Sequence, residues 1–77
     1  MARIEEIPNQ NAGFDIIGKT LSAGGGAVVL GMRPDGKEFV TWSWNRCGGF
    51  YWGHYINDMA KAYRDFFKRS AQECATA

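Results

Sequence analysis

Cysteine, proline and histidine are scarce in this chain, which has two Cys, two Pro and a single His. Cys47 and Cys74 are too few for a disulfide framework and stand at no metal-ligand spacing, so neither staples nor a metal site is expected. Charge of either sign is not in excess, with nine Lys and Arg against eight Asp and Glu and a formal net charge of +1. That balance argues against binding driven by charge alone, whether to a membrane surface or to nucleic acid phosphates. No apolar run approaches membrane-spanning length, and the opening Met1-Ala2-Arg3-Ile4-Glu5-Glu6 lacks the apolar stretch of a signal peptide. A reduced, cytoplasmic setting without membrane contact is the expectation.

Aromatic side chains are plentiful by contrast: five Phe, three Trp and three Tyr among 77 residues. A chain of this length makes one domain near the lower limit at which a core holds without staples. Each aromatic buries a large area, so aromatic mass is what is expected to stabilise so small a core.

Residues 1–12 mix charges, Pro8 and the amides Asn9, Gln10 and Asn11, and read as an irregular N-terminal arm ahead of a single domain over 13–77. Gly13 to Leu21 carries Phe14, Ile16, Ile17 and Leu21 and reads as a first strand, ended by the glycine-rich connector Ser22-Ala23-Gly24-Gly25-Gly26. Ala27 to Arg33 reads as the next strand. Pro34-Asp35-Gly36 suits a three-residue hairpin loop, which pairs Arg33 with Lys37 and sets Val28 and Leu30 beside Val40 and Trp42. A second hairpin over Arg46-Cys47-Gly48 pairs Asn45 with Gly49, Trp44 with Phe50 and Trp42 with Trp52. Both registers gather Val28, Leu30, Val40, Trp42, Trp44, Phe50 and Trp52 on one face, the expected core.

From Asn57 or Asp58, either of which can cap, the chain reads as a helix. Met59, Tyr63, Phe66, Phe67, Ser70 and Cys74 recur at helical spacing on its inner side, while Lys61, Arg64, Asp65, Lys68 and Arg69 fall on the solvent side. The fold class is therefore α+β: a small antiparallel meander of three or four strands with one C-terminal helix packed across its Trp face.

Two sharp motifs dissolve on inspection. Gly13-Phe14-Asp15-Ile16-Ile17-Gly18-Lys19-Thr20 matches the phosphate-loop pattern, but that chemistry needs a helix next, and Leu-Ser-Ala-Gly-Gly-Gly cannot sustain one. Cys47 and His54 invite a nucleophile–base pairing, yet strand rise separates a hairpin tip from a residue that far along the returning strand. His54 reads as a structural histidine turned toward the helix layer. No catalytic residue, cofactor or metal is expected.

The second sheet face carries Ala27, Val29, Gly31, Phe39, Thr41, Ser43, Tyr51, Gly53 and Tyr55, with no formal charge among them. A charge-free face on a one-layer sheet reads as a docking surface, for another macromolecule or a copy of the chain itself, with Phe39, Thr41, Ser43, Tyr51 and Tyr55 as its contacts. The competing reading is that the N-terminal arm or the first strand folds over it. Stacking of nucleic acid bases on these aromatics is the alternative, served by Arg46 and the helix cations Lys61, Arg64 and Lys68.

Lys37-Glu38-Phe39-Val40-Thr41-Trp42, Gly49-Phe50-Tyr51-Trp52-Gly53-His54-Tyr55 and the helix after them, over residues 37–69, resemble small proteins carried by bacterial phages and mobile elements, which share an FVTW…GGFYWGHY hairpin followed by a helix. The resemblance brings no activity and no functional residues. It implies a genetic setting in which genes of this size encode inhibitors of host defence, anti-CRISPR proteins among them. The expectation that follows is a non-enzymatic protein–protein interaction module with a host defence protein as partner, and a nucleic-acid-binding accessory protein as the alternative.

Overall fold

The computed structural model describes residues 3–22 and 24–75. They form an α+β fold in which five antiparallel strands follow chain order in one curled, half-barrel sheet, with one helix after them. The strands are β1 (Gln10–Asn11), β2 (Phe14–Leu21), β3 (Ala27–Met32), β4 (Phe39–Asn45) and β5 (Gly49–Ile56), and the helix is α1 (Met59–Ala75). The sheet thus exceeds the expected three or four strands. The addition is two-residue β1, which the tight turn at Ala12 and Gly13, both at positive φ, folds back onto β2.

The N-terminal residues are tied down by more than β1. Ile4–Glu6 form a single 3-10 turn, and Ile7 is buried against the sheet. Lys19, the lysine of the phosphate-loop pattern, lies on β2 and donates to the Ile7 carbonyl at 3.0 Å and to Asn9 Oδ1 at 2.7 Å. Its ammonium holds the N-terminal segment to the sheet.

The first hairpin corrects the expected core. Arg33 N donates to the Glu38 carbonyl, so the loop is the four residues Pro34 to Lys37, not three. Asp35 Oδ1 takes the Lys37 N–H at 2.9 Å and holds it inside the turn while Gly36 adopts φ +72°. One extra loop residue slips β4 by one against β3, which exchanges faces. Val28 now opposes Ser43, Val29 opposes Trp42 and Leu30 opposes Thr41.

Two cores result, one on each side of the sheet. Phe14, Val29, Val40, Trp42 and Trp44 pack with Ile7 on the face away from the helix. Val28, Leu30 and Phe39 pack beneath Ala62 and Phe66 of α1 on the other. Phe14 meets the Trp42 ring edge-on at 5.6 Å, and Phe50 lies 5.3 Å from it. The N-terminal segment therefore covers the Trp face, and α1 covers the face expected to stand open.

Asp58 starts the helix, its Oδ1 accepting from the Ala60 and Lys61 N–H groups at 2.9 and 3.4 Å. Ala62, Phe66 and Arg69 are its buried line, while Met59, Tyr63 and Phe67 from the expected inner side are exposed. The side chain of Cys74, assigned to that inner side, lies outside the described residues.

Candidate docking surface along the edge strand

Thr41 and Ser43 put hydroxyls on the sheet face that α1 covers, and both are fully buried. A buried hydroxyl is costly unless bonded, and the helix supplies the partners. Arg69, 8% exposed, donates to the Thr41 carbonyl and Thr41 Oγ1, each at 3.0 Å, and to Ser43 Oγ at 2.8 Å. Thr41 Oγ1 in turn donates to Asp65 Oδ2 at 2.5 Å, and His54 Nδ1 on β5 is 2.9 Å from the same oxygen. Burial alone would raise the Asp65 pKa, but the hydrogen bonds of Thr41 and His54, with the charges of His54 and Arg69, hold it below the usual carboxylate value. Arg69 and Asp65, read from sequence as a solvent-side pair, are thus the polar centre of the helix–sheet contact.

The second hairpin begins in the expected register, with Asn45 opposite Gly49 and Trp44 opposite Phe50. The left-handed residue of its turn is Gly49 at φ +69°, one position beyond the expected glycine, and the Gly48 N–H is held by Asn45 Oδ1. The register then breaks. Ser43 opposes Tyr51 and Thr41 opposes His54, so Trp52 and Gly53 together face Trp42 in a β-bulge.

The bulge places a tryptophan where glycine is at ease. Trp52 has φ +54°, a left-handed conformation that costs a bulky L-residue about 1–2 kcal/mol. The adjacent glycine cannot trade places with it, because a Cβ at Gly53 would stand 2.8 Å from Trp42 Nε1. The Trp52 carbonyl accepts from Arg69 Nη1 at 2.9 Å, which locks the bulge to the helix. Its indole stands edge-on to Tyr51 at 4.9 Å and is 73% exposed. Trp52 was expected in the core opposite Trp42; the isolated Gly53 within a strand pattern was the available signal of a bulge.

The five expected docking residues separate. Phe39, Thr41 and Ser43 lie buried beneath α1, which removes them from any open face. Tyr51 is half-buried, its hydroxyl 3.4 Å from Asn45 Nδ2, and Tyr55 is 60% exposed on the Trp42 side. Of the four basic residues, Arg46 stands apart near the second hairpin turn, where its Nε and Nη2 grip Glu6 at 2.6 and 2.7 Å. That grip lowers the Glu6 pKa. Lys61, Arg64 and Lys68 come together with Asp65 and Ile56, the last residue of β5, around a groove of about 370 Å³. Cys47 is exposed at the hairpin turn, and His54 is committed to Asp65.

Among the described residues β5 pairs with β4 alone, so its other edge carries unpaired backbone groups beside the exposed Trp52 and Tyr55. The arrangement can receive an extended chain by strand addition or an apolar side chain against the indole. Among the described residues no group of three or more metal-ligating side chains forms, and no helix is long and apolar enough to cross a membrane. Compared with protein-family models, with curated proteins and with solved structures, the chain matches none.

Proposed function

We propose that this chain is a non-catalytic protein-docking module that receives its partner along the free edge of β5, with Trp52 as anchor and Tyr51 and Tyr55 beside it. The observation that carries the reading is the cost accepted at Trp52: the largest side chain type held in a left-handed conformation with most of its surface in water. Burying it would not require that backbone, and folding gains little from an exposed indole. Strained, over-determined positions of this kind collect at functional sites, and tryptophan leads the residues that anchor interfaces. A non-catalytic role is supported by the buried hydroxyls of β4. Thr41 and Ser43 are both bonded to Arg69, and Thr41 also to Asp65, so neither is set up as a nucleophile. In the mobile-element setting that the FVTW…GGFYWGHY hairpin implies, the partner we propose is a host defence protein, bound in the manner of an anti-CRISPR-like inhibitor.

Trp52→Gly separates binding from folding. Glycine relaxes the left-handed backbone, so thermal stability should hold or rise by up to about 1 kcal/mol. Loss of the anchor should weaken partner binding by at least ~2 kcal/mol, roughly 30-fold. The measurement compares proteins retained from nuclease-treated host lysate by the wild type and by Trp52→Gly of equal melting temperature. Identical sets at identical yield would remove Trp52, and with it this reading.

A further inference from the structure

The docking edge does not end on an apolar surface. His54, two residues beyond Trp52, bonds Asp65, and Asp65 lines a groove together with Ile56, Lys61, Arg64 and Lys68. Trp52 itself is tied by its carbonyl to Arg69, the helix residue after Lys68. Anchor and groove are therefore parts of one seam between β5 and α1.

The charge in that seam is unbalanced. Asp65 is answered by Thr41, His54 and Arg69, and the Asp58 carboxylate caps the helix. Among the described residues no ion pair engages Lys61, Arg64 or Lys68. Three cations beside the apolar Ile56 in one groove are complementary to carboxylates flanking an apolar side chain.

We infer that the partner segment taken by this surface is an acidic, extended peptide, whose strand adds to the edge of β5 while its carboxylates meet Lys61, Arg64 and Lys68 and an apolar side chain sits on Ile56. The inference rests on the docking reading of β5 and gives it a partner chemistry. An extended chain is chosen because the free edge offers backbone hydrogen bonds, the mode in which alternate side chains confer specificity. Ile56 lies four residue steps beyond Trp52, about 13 Å along a strand, so a segment of roughly six residues covers both ends. Single-stranded nucleic acid, with bases stacked on Trp52 and phosphates in the groove, is the rival occupant. The observations favour the peptide because Tyr51, opposite Ser43, and Tyr55, opposite Val40, lie on different faces of the sheet, whereas strand-binding proteins line up successive aromatics along one surface.

The test uses fluorescence anisotropy of the full chain with three labelled probes: a short peptide alternating Val and Glu, its Val and Ser counterpart, and an oligothymidylate. The acidic peptide should bind at least about tenfold more tightly than the serine peptide. The combined Lys61→Glu, Arg64→Glu and Lys68→Glu variant should erase that preference, and Trp52→Gly should weaken both peptides. Equal binding of the two peptides, both weakened by Trp52→Gly, would overturn the acidic partner and leave the docking edge standing. An acidic preference lost in the charge-reversed chain but untouched by Trp52→Gly would keep the groove and overturn the edge. Tighter binding of oligothymidylate, falling with salt at a slope near −2 as about three phosphate contacts require, would assign the seam to nucleic acid. Binding of none of the probes would overturn the inference outright.

Discussion

Arg69 joins two strands and the helix through one guanidinium: its acceptors include the Thr41 carbonyl and hydroxyl and the Ser43 hydroxyl on β4, and the Trp52 carbonyl on β5. Removing it leaves the buried acceptors unbonded and takes from Asp65 one of the charges that favour its ionised form. Arg69→Met keeps the apolar stem and loses the bonds, so it should destabilise the fold by about 3–5 kcal/mol, the scale of breaking a buried charged network. A urea midpoint unchanged in that variant would show that the network contributes nothing. Because Arg69 also holds the bulge, the variant should bind partner less well than its remaining folded fraction explains.

At the scale of elements, what the chain reveals on reading divides by how local its cause is. The helix and its Asp58 cap, the strand over Phe14–Leu21, the glycine connector and the start of the second hairpin all follow from periodicity and turn residues within a few positions. The face assignments did not, because they hang on a single loop residue. Pro34-Asp35-Gly36 is equally at home in a loop of three or four, and the Asp35–Lys37 contact that selects four is a matter of geometry. The bulge was hidden for a related reason: Gly53 marks an irregularity, but that it serves the Trp42 indole, forcing the left-handed turn onto Trp52, is a tertiary fact. Lys19 shows the converse, a motif whose residues are used for something else. One expectation survives the change of faces. Trp42 is 4% exposed among Phe14, Phe50 and Tyr55, so Trp42→Ala should cost about 3–5 kcal/mol, and a soluble variant with an unchanged melting temperature would exclude Trp42 from the core.

For the whole molecule, the buried polar layer makes stability sensitive to acid. The Asp65 carboxyl has a lower pKa folded than unfolded, so its stabilising effect is complete above the ordinary carboxylate value of the unfolded chain and is lost as pH falls through the folded one. Urea midpoints should therefore be level from about pH 7 to about pH 5 as far as this group is concerned, and decline below about pH 4. Asp65→Asn should flatten that decline while lowering stability at neutral pH; an acid limb of the same steepness in the variant would shift the cause to other carboxylates. Glu6, whose pKa is also lowered by Arg46, lies at the surface and is the comparison to make with Glu6→Gln.

The tryptophans also give the molecule a built-in optical division of labour. Trp42 and Trp44 are 4% and 5% exposed, and Trp52 is 73% exposed. Light emitted by the first two comes from buried indoles, and light from the third comes from an indole surrounded by water. A collisional quencher such as acrylamide reaches only the third in the folded chain, so the quenchable, red-shifted part of the emission belongs to the docking edge and the unquenched, blue part to the core. Occupancy of β5 and integrity of the fold can thus be followed in one cuvette, without a label, as two separable colours.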